Sequence, residues 1–158
     1  MSNLLQNKKG IIFGALDERS IAWKVAEKVH EQGGEFILSN APVAMRMGKI
    51  NELAEKCGTT VIPADATSME DLGKLFDAAT ERFGKLDFVL HSIGMSPNVR
   101  KDKSYTDLNH DWFLKTLDIS GLSFHKVLQT AYNKDAMNDW GSILALSYIA
   151  AQEAYPFY

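Results

Sequence analysis

Two tyrosines near the end of the chain, Tyr148 and Tyr158, stand ten residues apart. A phenol can donate a hydrogen bond to an oxygen that gains negative charge during a reaction, and a nearby cation would lower its pKa. Aromatic residues are also common in cores and on surfaces, and a third tyrosine, Tyr155, lies between these two. The pair by itself therefore allows a catalytic or a structural interpretation.

Gly14 and Ser20 bracket the turn that follows the first apolar run, Ile11 to Phe13. Ser20 opens a helical pattern and is a favourable N-cap residue. The start of a helix offers free N–H groups and a positive dipole end to a pyrophosphate. Because the turn lacks the G-x-G-x-x-G pattern, it is either a dinucleotide turn of unusual spacing or a plain loop with a capping serine.

Two later segments carry further candidates. Asp65 follows the third predicted strand, where it could accept a hydrogen bond from an adenine amino group or simply precede the helix that Ser68 caps. Asp71, three residues after Ser68, predicts an approximate capping box there. Gly94 would let a ligand approach the backbone closely. His91 is more typical of a strand-end histidine with a structural role than of a catalyst. The other histidines show no metal-ligand pattern, so no metal site is predicted.

The elements that must position these residues alternate between strands and helices. The predicted strands are 11–13, 36–38, 59–62, 86–91 and 142–146, and the predicted helices are 20–32, 49–57, 68–83 and 109–134. Near-continuous apolar strands joined by helices are typical of a parallel sheet covered on both faces. We therefore predict one Rossmann-like, doubly wound α/β domain over residues 1–158, truncated after the fifth strand, with ligands at the carboxyl ends of its strands.

The composition excludes several classes of protein. The 158 residues include 17 Lys and Arg and 20 Asp and Glu, and the net charge of −3 supplies no excess of cations for nucleic acid. No apolar run approaches the roughly 20 residues of a membrane-spanning helix. The single cysteine, Cys57, excludes an internal disulfide. We expect a soluble, cytoplasmic protein that binds neither nucleic acid nor membrane.

Taken together, four features resemble the short-chain dehydrogenase/reductase superfamily, and within it the bacterial enoyl-[acyl-carrier-protein] reductases of type II fatty acid synthesis. They are the spacing from Gly14 to Ser20-Ile21, the segment His91-Ser92-Ile93-Gly94, the segment Asp118-Ile119-Ser120, and Tyr148 with Tyr158. The resemblance covers the chain from Lys9 to Tyr158.

The resemblance implies a cofactor site at three strand ends. Residues of the first turn would contact the pyrophosphate and its ribose side, residues after the third strand would flank the adenine, and residues after the fourth would line the nicotinamide ribose. In that order they are Gly14, Ser20 and Ile21, then Asp65 and Ala66, then Ile93 and Gly94.

The resemblance also implies the reaction, a hydride transfer to the β-carbon of a trans-2-enoyl thioester. Ser96 would lie beside the acyl substrate. Tyr158 would donate to the thioester oxygen as the enolate forms, with help from Tyr148. One preorganised donor of this kind is typically worth about 3–4 kcal/mol in the transition state.

The cofactor is predicted from the residues after the second strand, and the partner and the assembly from the resemblance. NADH is favoured over NADPH because no Arg or Lys directly follows the second strand, although Arg46 and Lys49 are close. The substrate would be carried by acyl carrier protein, and the full-length protein would be a homotetramer. The lysine of the family's Tyr-x6-Lys motif would lie beyond Tyr158. We therefore expect this chain to be the first part of a longer protein and to be inactive alone.

Two alternatives stay open. A carbonyl reductase of the same superfamily would place a serine thirteen residues before Tyr158, where this chain has Ala145, although Ser147 is close. A non-catalytic dinucleotide sensor on the same fold would keep Gly14 and Ser20 but would not need the paired tyrosines.

Overall fold

A single parallel sheet organises the chain, whose residues 3–99 and 104–154 are described by a computed structural model. The strands lie in the order β3-β2-β1-β4-β5. They are β1 (Lys9–Phe13), β2 (Glu35–Ser39), β3 (Thr60–Val61), β4 (Leu86–His91) and β5 (Met137–Ala145). The helices are α1 (Ile21–Glu31), α2 (Pro42–Met45), α3 (Ile50–Cys57), α4 (Met69–Phe83), α5 (His110–Leu117) and α6 (Ser123–Asn133). This order confirms the predicted doubly wound α/β fold.

Helices cover both faces of the sheet. Ile11 and Ile37 belong to the buried cluster that includes residues of α4 and α6. Ile12 and Leu38 belong to the cluster that includes residues of α1 and α3. Neighbouring residues of a strand point to opposite faces, so the consecutive apolar residues of β1 and β2 supply both clusters at once. This double burial is the physical reason that the strands read as unbroken apolar runs.

The capping of α4 differs in one detail from the sequence prediction. Ser68 Oγ accepts a hydrogen bond from Asp71 N at 3.2 Å, as an N-cap serine should. A capping box would return the Asp71 carboxylate to Ser68 N. Asp71 Oδ2 instead accepts from Asp65 N at 3.0 Å. The helix start therefore holds the loop that follows β3, which is part of the ligand edge.

Two elements depart clearly from the predicted boundaries, and one was not predicted. The region predicted as one helix over 109–134 is divided by a π-helical turn, Asp118–Leu122, between α5 and α6. β5 begins at Met137 rather than at 142, because the first residues of the strand pair with β4 ahead of a bulge. The short helix α2 was not predicted; it begins at Pro42, a favourable first helical residue.

Candidate active site

The turn after β1 meets the turn after β4 at the point where the strand order reverses. Gly14 has φ +89°, and a Cβ there would lie 1.9 Å from the carbonyl oxygen of Ser92. Only glycine allows these two backbones to approach so closely. In doubly wound sheets, ligands bind in the crevice at such a reversal point. Gly14 therefore contributes to the predicted site by allowing the close contact between its own backbone and that of Ser92.

Ser20 stands at the N-cap position of α1 but does not cap the helix with its side chain. Its hydroxyl donates to the carbonyl of Asp17 at 2.7 Å and accepts from Leu16 N at 3.2 Å, which closes the turn on itself. The predicted capping bond is therefore wrong, because the turn competes for the same hydroxyl. Within residues 3–99 and 104–154, the first N–H groups of α1 have no side-chain acceptor, as an anion site at a helix start requires. Ile21, the first residue of the helix, is exposed.

The loop after β3 carries Asp65 and Ala66. Asp65 Oδ1 accepts from both the backbone N and the hydroxyl of Thr67, each at 2.8 Å. This local turn fixes the carboxylate at the sheet edge. Ala66 is only 5% exposed and packs in the core. Its side chain therefore cannot flank an adenine, and only its backbone is available for the predicted contact.

A cleft of about 510 Å³ opens beyond the ends of β4 and β5. It brings together four of the predicted residues: Ile93, Gly94, Ser96 and Tyr148. A Cβ built on Gly94 would meet no protein atom within 4 Å. The space beside Gly94 is thus open to a ligand. Gly14, Ser20 and Asp65 lie in other turns of the sheet, and Tyr158 lies outside the described residues.

The pairing of β4 with β5 sets which residues reach the cleft. Ala145 pairs with His91, and Leu146 N donates to the carbonyl of His91 at 3.1 Å. Ser147 and Tyr148 then extend past the sheet and line the cleft, with Tyr148 about half exposed. Ala145, the position at which a carbonyl reductase would carry serine, offers no hydroxyl.

His91 ends β4, directly before the cleft residue Ser92. Its ring is buried, and Nε2 lies 2.8 Å from the hydroxyl of Ser123. That hydroxyl donates to the carbonyl of Ile119 at 2.6 Å, so the imidazole Nε2 carries the hydrogen and donates to Ser123. Burial lowers the pKa of His91 below its ordinary value. The neutral ring therefore joins the end of β4 to α6.

The π-helical turn supplies contacts that the sequence analysis did not foresee. Lys126 Nζ donates to Asp118 Oδ1 at 2.8 Å and to the carbonyl of Thr67 at 2.9 Å. Eight residues of a regular α-helix turn through about 800°, roughly 80° past two full turns. The wider turn absorbs this excess, so Asp118 and Lys126 share a face. Gly121, inside a helical pattern, was the one available signal for an irregularity.

The region after β2 holds two cations, Lys49 and Arg46, in different surroundings. Lys49 Nζ forms ion pairs with Glu18 at 3.6 Å and with Glu52 at 3.9 Å. Arg46 follows α2 as an exposed C-cap residue. Asn40, the first residue after β2, donates from Nδ2 to the carbonyl of Ala15 at 3.2 Å and so joins two turns of the ligand edge.

Across residues 3–99 and 104–154, no three His, Cys, Asp or Glu side chains cluster as metal ligands would. None of the helices in the same segments combines the length and the apolar character needed to cross a membrane.

Strand order, reversal point and cleft define a Rossmann-like α/β domain of the dinucleotide-binding type. The family model described as enoyl-(acyl carrier protein) reductase matches residues 14–158. The chain therefore belongs to the enoyl-(acyl carrier protein) reductase family.

Individual relatives agree with this assignment. The curated "Enoyl-[acyl-carrier-protein] reductase [NADH] 1" of Rhizobium meliloti is 36% identical over 99% of this chain and 57% of its own length. The crystal structure of FabI from Alistipes finegoldii is 63% identical with a TM-score of 0.94, over 99% of this chain and 60% of that one. A FabI–NADH complex from Alistipes finegoldii is 66% identical with a TM-score of 0.91, over 95% of this chain and 53% of that one. The chain thus spans somewhat more than half the length of these proteins.

Proposed function

We propose that the full-length protein is an NADH-dependent enoyl-[acyl-carrier-protein] reductase, which reduces the carbon–carbon double bond of trans-2-enoyl thioesters in fatty acid elongation. The observation that carries the proposal is the cleft in which Gly94, Ser96 and Tyr148 meet, in a chain of this family. The names of the relatives support the same reaction.

The residues at the sheet edge fit a dinucleotide. The uncapped start of α1 suits the pyrophosphate, with Gly14, Ser20 and Ile21 around it. Asp65 and the backbone of Ala66 suit the adenine end. The open space at Gly94, next to Ile93, suits the nicotinamide ribose. NADH bound in this way would supply the hydride.

The protein's own part in the reaction is to orient the substrate and to stabilise the charge that develops on the thioester oxygen. Tyr148 lines the cleft with its phenol, and Ser96 lies in the same cleft beside the proposed acyl site. On the family motif, Tyr158 is the principal donor to the oxygen and Tyr148 assists it. Because a donor fixed in place before the reaction needs no reorganisation, each phenol lowers the barrier directly.

Electrostatics at the end of β2 support NADH over NADPH. A 2′-phosphate is usually held by a cation near this position. Lys49 already pairs with Glu18 and Glu52. A 2′-phosphate would therefore find two carboxylates beside Lys49, and Arg46 is the other cation of this region.

Partners and location complete the proposal. The enoyl group is delivered on acyl carrier protein, and the full-length protein works in the cytoplasm as a homotetramer. α5 supports the assembly, because none of its residues is buried and Trp112, Phe113 and Leu114 are exposed on it. Apolar surface of this kind is typical of a protein–protein interface, which a second copy would form in a homotetramer.

The test compares two substrates and two variants of the full-length protein. With NADH, we expect faster turnover of a trans-2-enoyl thioester than of a β-ketoacyl thioester. In Tyr148→Phe, kcat for the enoyl substrate should fall by up to about a hundredfold, which is the loss typical of a missing oxyanion donor. Tyr132→Phe makes the same chemical change on α6, where the side chain is 86% exposed, and should leave kcat unchanged.

One observation favours a second candidate, a carbonyl reductase. Ser147 lines the cleft beside Tyr148, so a serine hydroxyl is present although its position differs from the one expected in that class. Faster turnover of the keto substrate, with loss of that activity in Ser147→Ala, would replace the enoyl assignment.

A further inference from the structure

We propose that Ser120 is a positioning residue, whose hydroxyl holds Met95 and thereby fixes the loop that carries Gly94 and Ser96 along the cleft. The kinetic part of this inference rests on the proposed function, whereas the tether itself can be measured without any reaction.

The geometry at Ser120 is that of a double backbone contact. Its Oγ accepts a hydrogen bond from Met95 N at 3.0 Å and donates one to the carbonyl of Met95 at 3.1 Å. One hydroxyl thus satisfies both polar backbone groups of a single residue. The hydroxyl thus binds both backbone groups of Met95, as a neighbouring strand would in a sheet.

The loop is also held on either side of this contact: Ile93 packs against the core, and Asn98 forms two hydrogen bonds of 3.0 Å with the backbone of Asn109. In the described part of the chain, no other hydrogen bond joins Gly94, Met95 or Ser96 to another element. Met95 is 40% exposed, so burial contributes little to its placement. The bonds at Met95 and the Asn98–Asn109 contacts therefore hold the loop on the two sides of Ser96, and the bonds at Met95 are the nearer of the two in sequence.

Residues on both sides of Ser120 are joined to other parts of the fold. It belongs to the π-helical turn, which the Asp118–Lys126 ion pair joins to the loop after β3 through the carbonyl of Thr67. On the following turn, Ser123 is bound to His91 at the end of β4. Because Asp118 and Ser123, on either side of Ser120, are bonded to other residues, the Ser120 hydroxyl can in turn fix the loop at Met95. π-Helical turns inside α-helices often mark functional positions for such reasons.

The consequence should fall on the substrate more than on the cofactor. Met95 lies between Gly94, beside the proposed nicotinamide ribose, and Ser96, beside the proposed acyl site. The pyrophosphate and adenine contacts lie in the turns after β1 and β3, so most of the cofactor is held elsewhere. Loosening Met95 should therefore raise KM for the enoyl thioester more than the Kd of NADH.

The experiment uses Ser120→Ala and Ser120→Thr in the full-length protein, with Thr80→Ala as the matched control. Thr80 also carries a helix hydroxyl, but that hydroxyl bonds only to carbonyls of α4, at Phe76 and Asp77. In Ser120→Ala we expect faster hydrogen exchange at the Met95 amide and a KM for the enoyl thioester raised about three- to tenfold, with the Kd of NADH within about twofold. Ser120→Thr, which keeps the hydroxyl, should restore both properties, and Thr80→Ala should change neither.

Two results would overturn the inference: unchanged exchange at Met95 in Ser120→Ala, or an equal loss of affinity for NADH and substrate. A global loss of structure would appear as faster exchange throughout the core, and rescue by Ser120→Thr then decides between the hydroxyl and the fold. If the wild-type protein reduces no enoyl thioester, the proposed function fails, while exchange at Met95 still decides whether the tether exists.

Discussion

Gly94→Ala is the substitution that separates ligand binding from folding. At Gly94 an added Cβ would meet no protein atom within 4 Å, and the backbone there is outside the left-handed region. At Gly14 the same atom would lie 1.9 Å from the Ser92 carbonyl oxygen at φ +89°. One methyl group therefore acts on the bound molecule in the first case and on the protein in the second.

The size of the effect follows from packing. A methyl group forced into a well-packed contact costs about 1–3 kcal/mol. If the nicotinamide ribose packs against Gly94, the Kd of NADH should rise about five- to 150-fold in Gly94→Ala. The Tm without NADH should stay close to that of the wild type, because no protein atom is displaced.

Two further variants serve as controls. Gly73→Ala lies inside α4, where the nearest atom to the added Cβ is Lys134 Cε at 3.7 Å. It should leave NADH binding unchanged and stabilise the protein by about 0.5–1 kcal/mol, since alanine favours a helix interior. Gly14→Ala should lower the Tm, because both the contact with Ser92 and the positive φ oppose a side chain.

The assay is NADH fluorescence titration of the full-length protein, together with thermal unfolding of each variant without ligand. An unchanged Kd in Gly94→Ala would refute the placement of the ribose. A large fall in its Tm would refute the premise that the space beside Gly94 is empty of protein.

Ser39→Ala should leave the free energy of unfolding unchanged or raise it by about 1 kcal/mol, because the buried Ser39 hydroxyl has no hydrogen-bond partner within the described residues. Urea denaturation measures this, and clear destabilisation would contradict it. Stability should also fall as the pH drops from about 6.5 through the lowered pKa of His91, since the unfolded chain takes up a proton first. The dependence of Tm on pH should lose this slope in His91→Gln, and an unaltered slope would assign it to another group.

The sheet could be predicted from the sequence because its signal is local. Ile11, Ile12, Ile37 and Leu38 are apolar at successive positions, since both faces of each strand are covered. The ends of these strands then place the candidate turns at one edge. Placing these turns at one edge needs no further signal, because the carboxyl ends of parallel strands lie on the same side of the sheet.

The hydrogen bonds within the site could not be predicted in the same way. Residue types gave Ser20 and Asp71 as capping residues, but Ser20 bonds to its own turn and Asp71 to Asp65. Each side chain had several partners in reach, and tertiary placement decided among them. The π-helical turn is a further case, because its residues Asp118 and Ser120 bond to Lys126 and to Met95, and Met95 is distant in sequence. Side-chain hydrogen bonds of this kind leave no periodic pattern in the sequence.

The position of Tyr148 depends on a bulge far from the cleft. Leu86 pairs with Met137 and Phe88 with Ser142, so five steps along β5 match two along β4. Gly141 permits this crowding, because a Cβ there would lie 3.0 Å from the Asn138 oxygen and 3.1 Å from the Leu86 oxygen.

Without the bulge, the pairing of Leu86 with Met137 would continue until His91 faced Ser142 rather than Ala145. Tyr148 would then lie six residues beyond the pairing position instead of three, a shift of about 10 Å along an extended chain. The phenol would leave the space beside Gly94. The chemistry proposed for the cleft therefore depends on strand register as much as on the presence of a tyrosine, and a spacing motif works only in a chain that also carries the bulge.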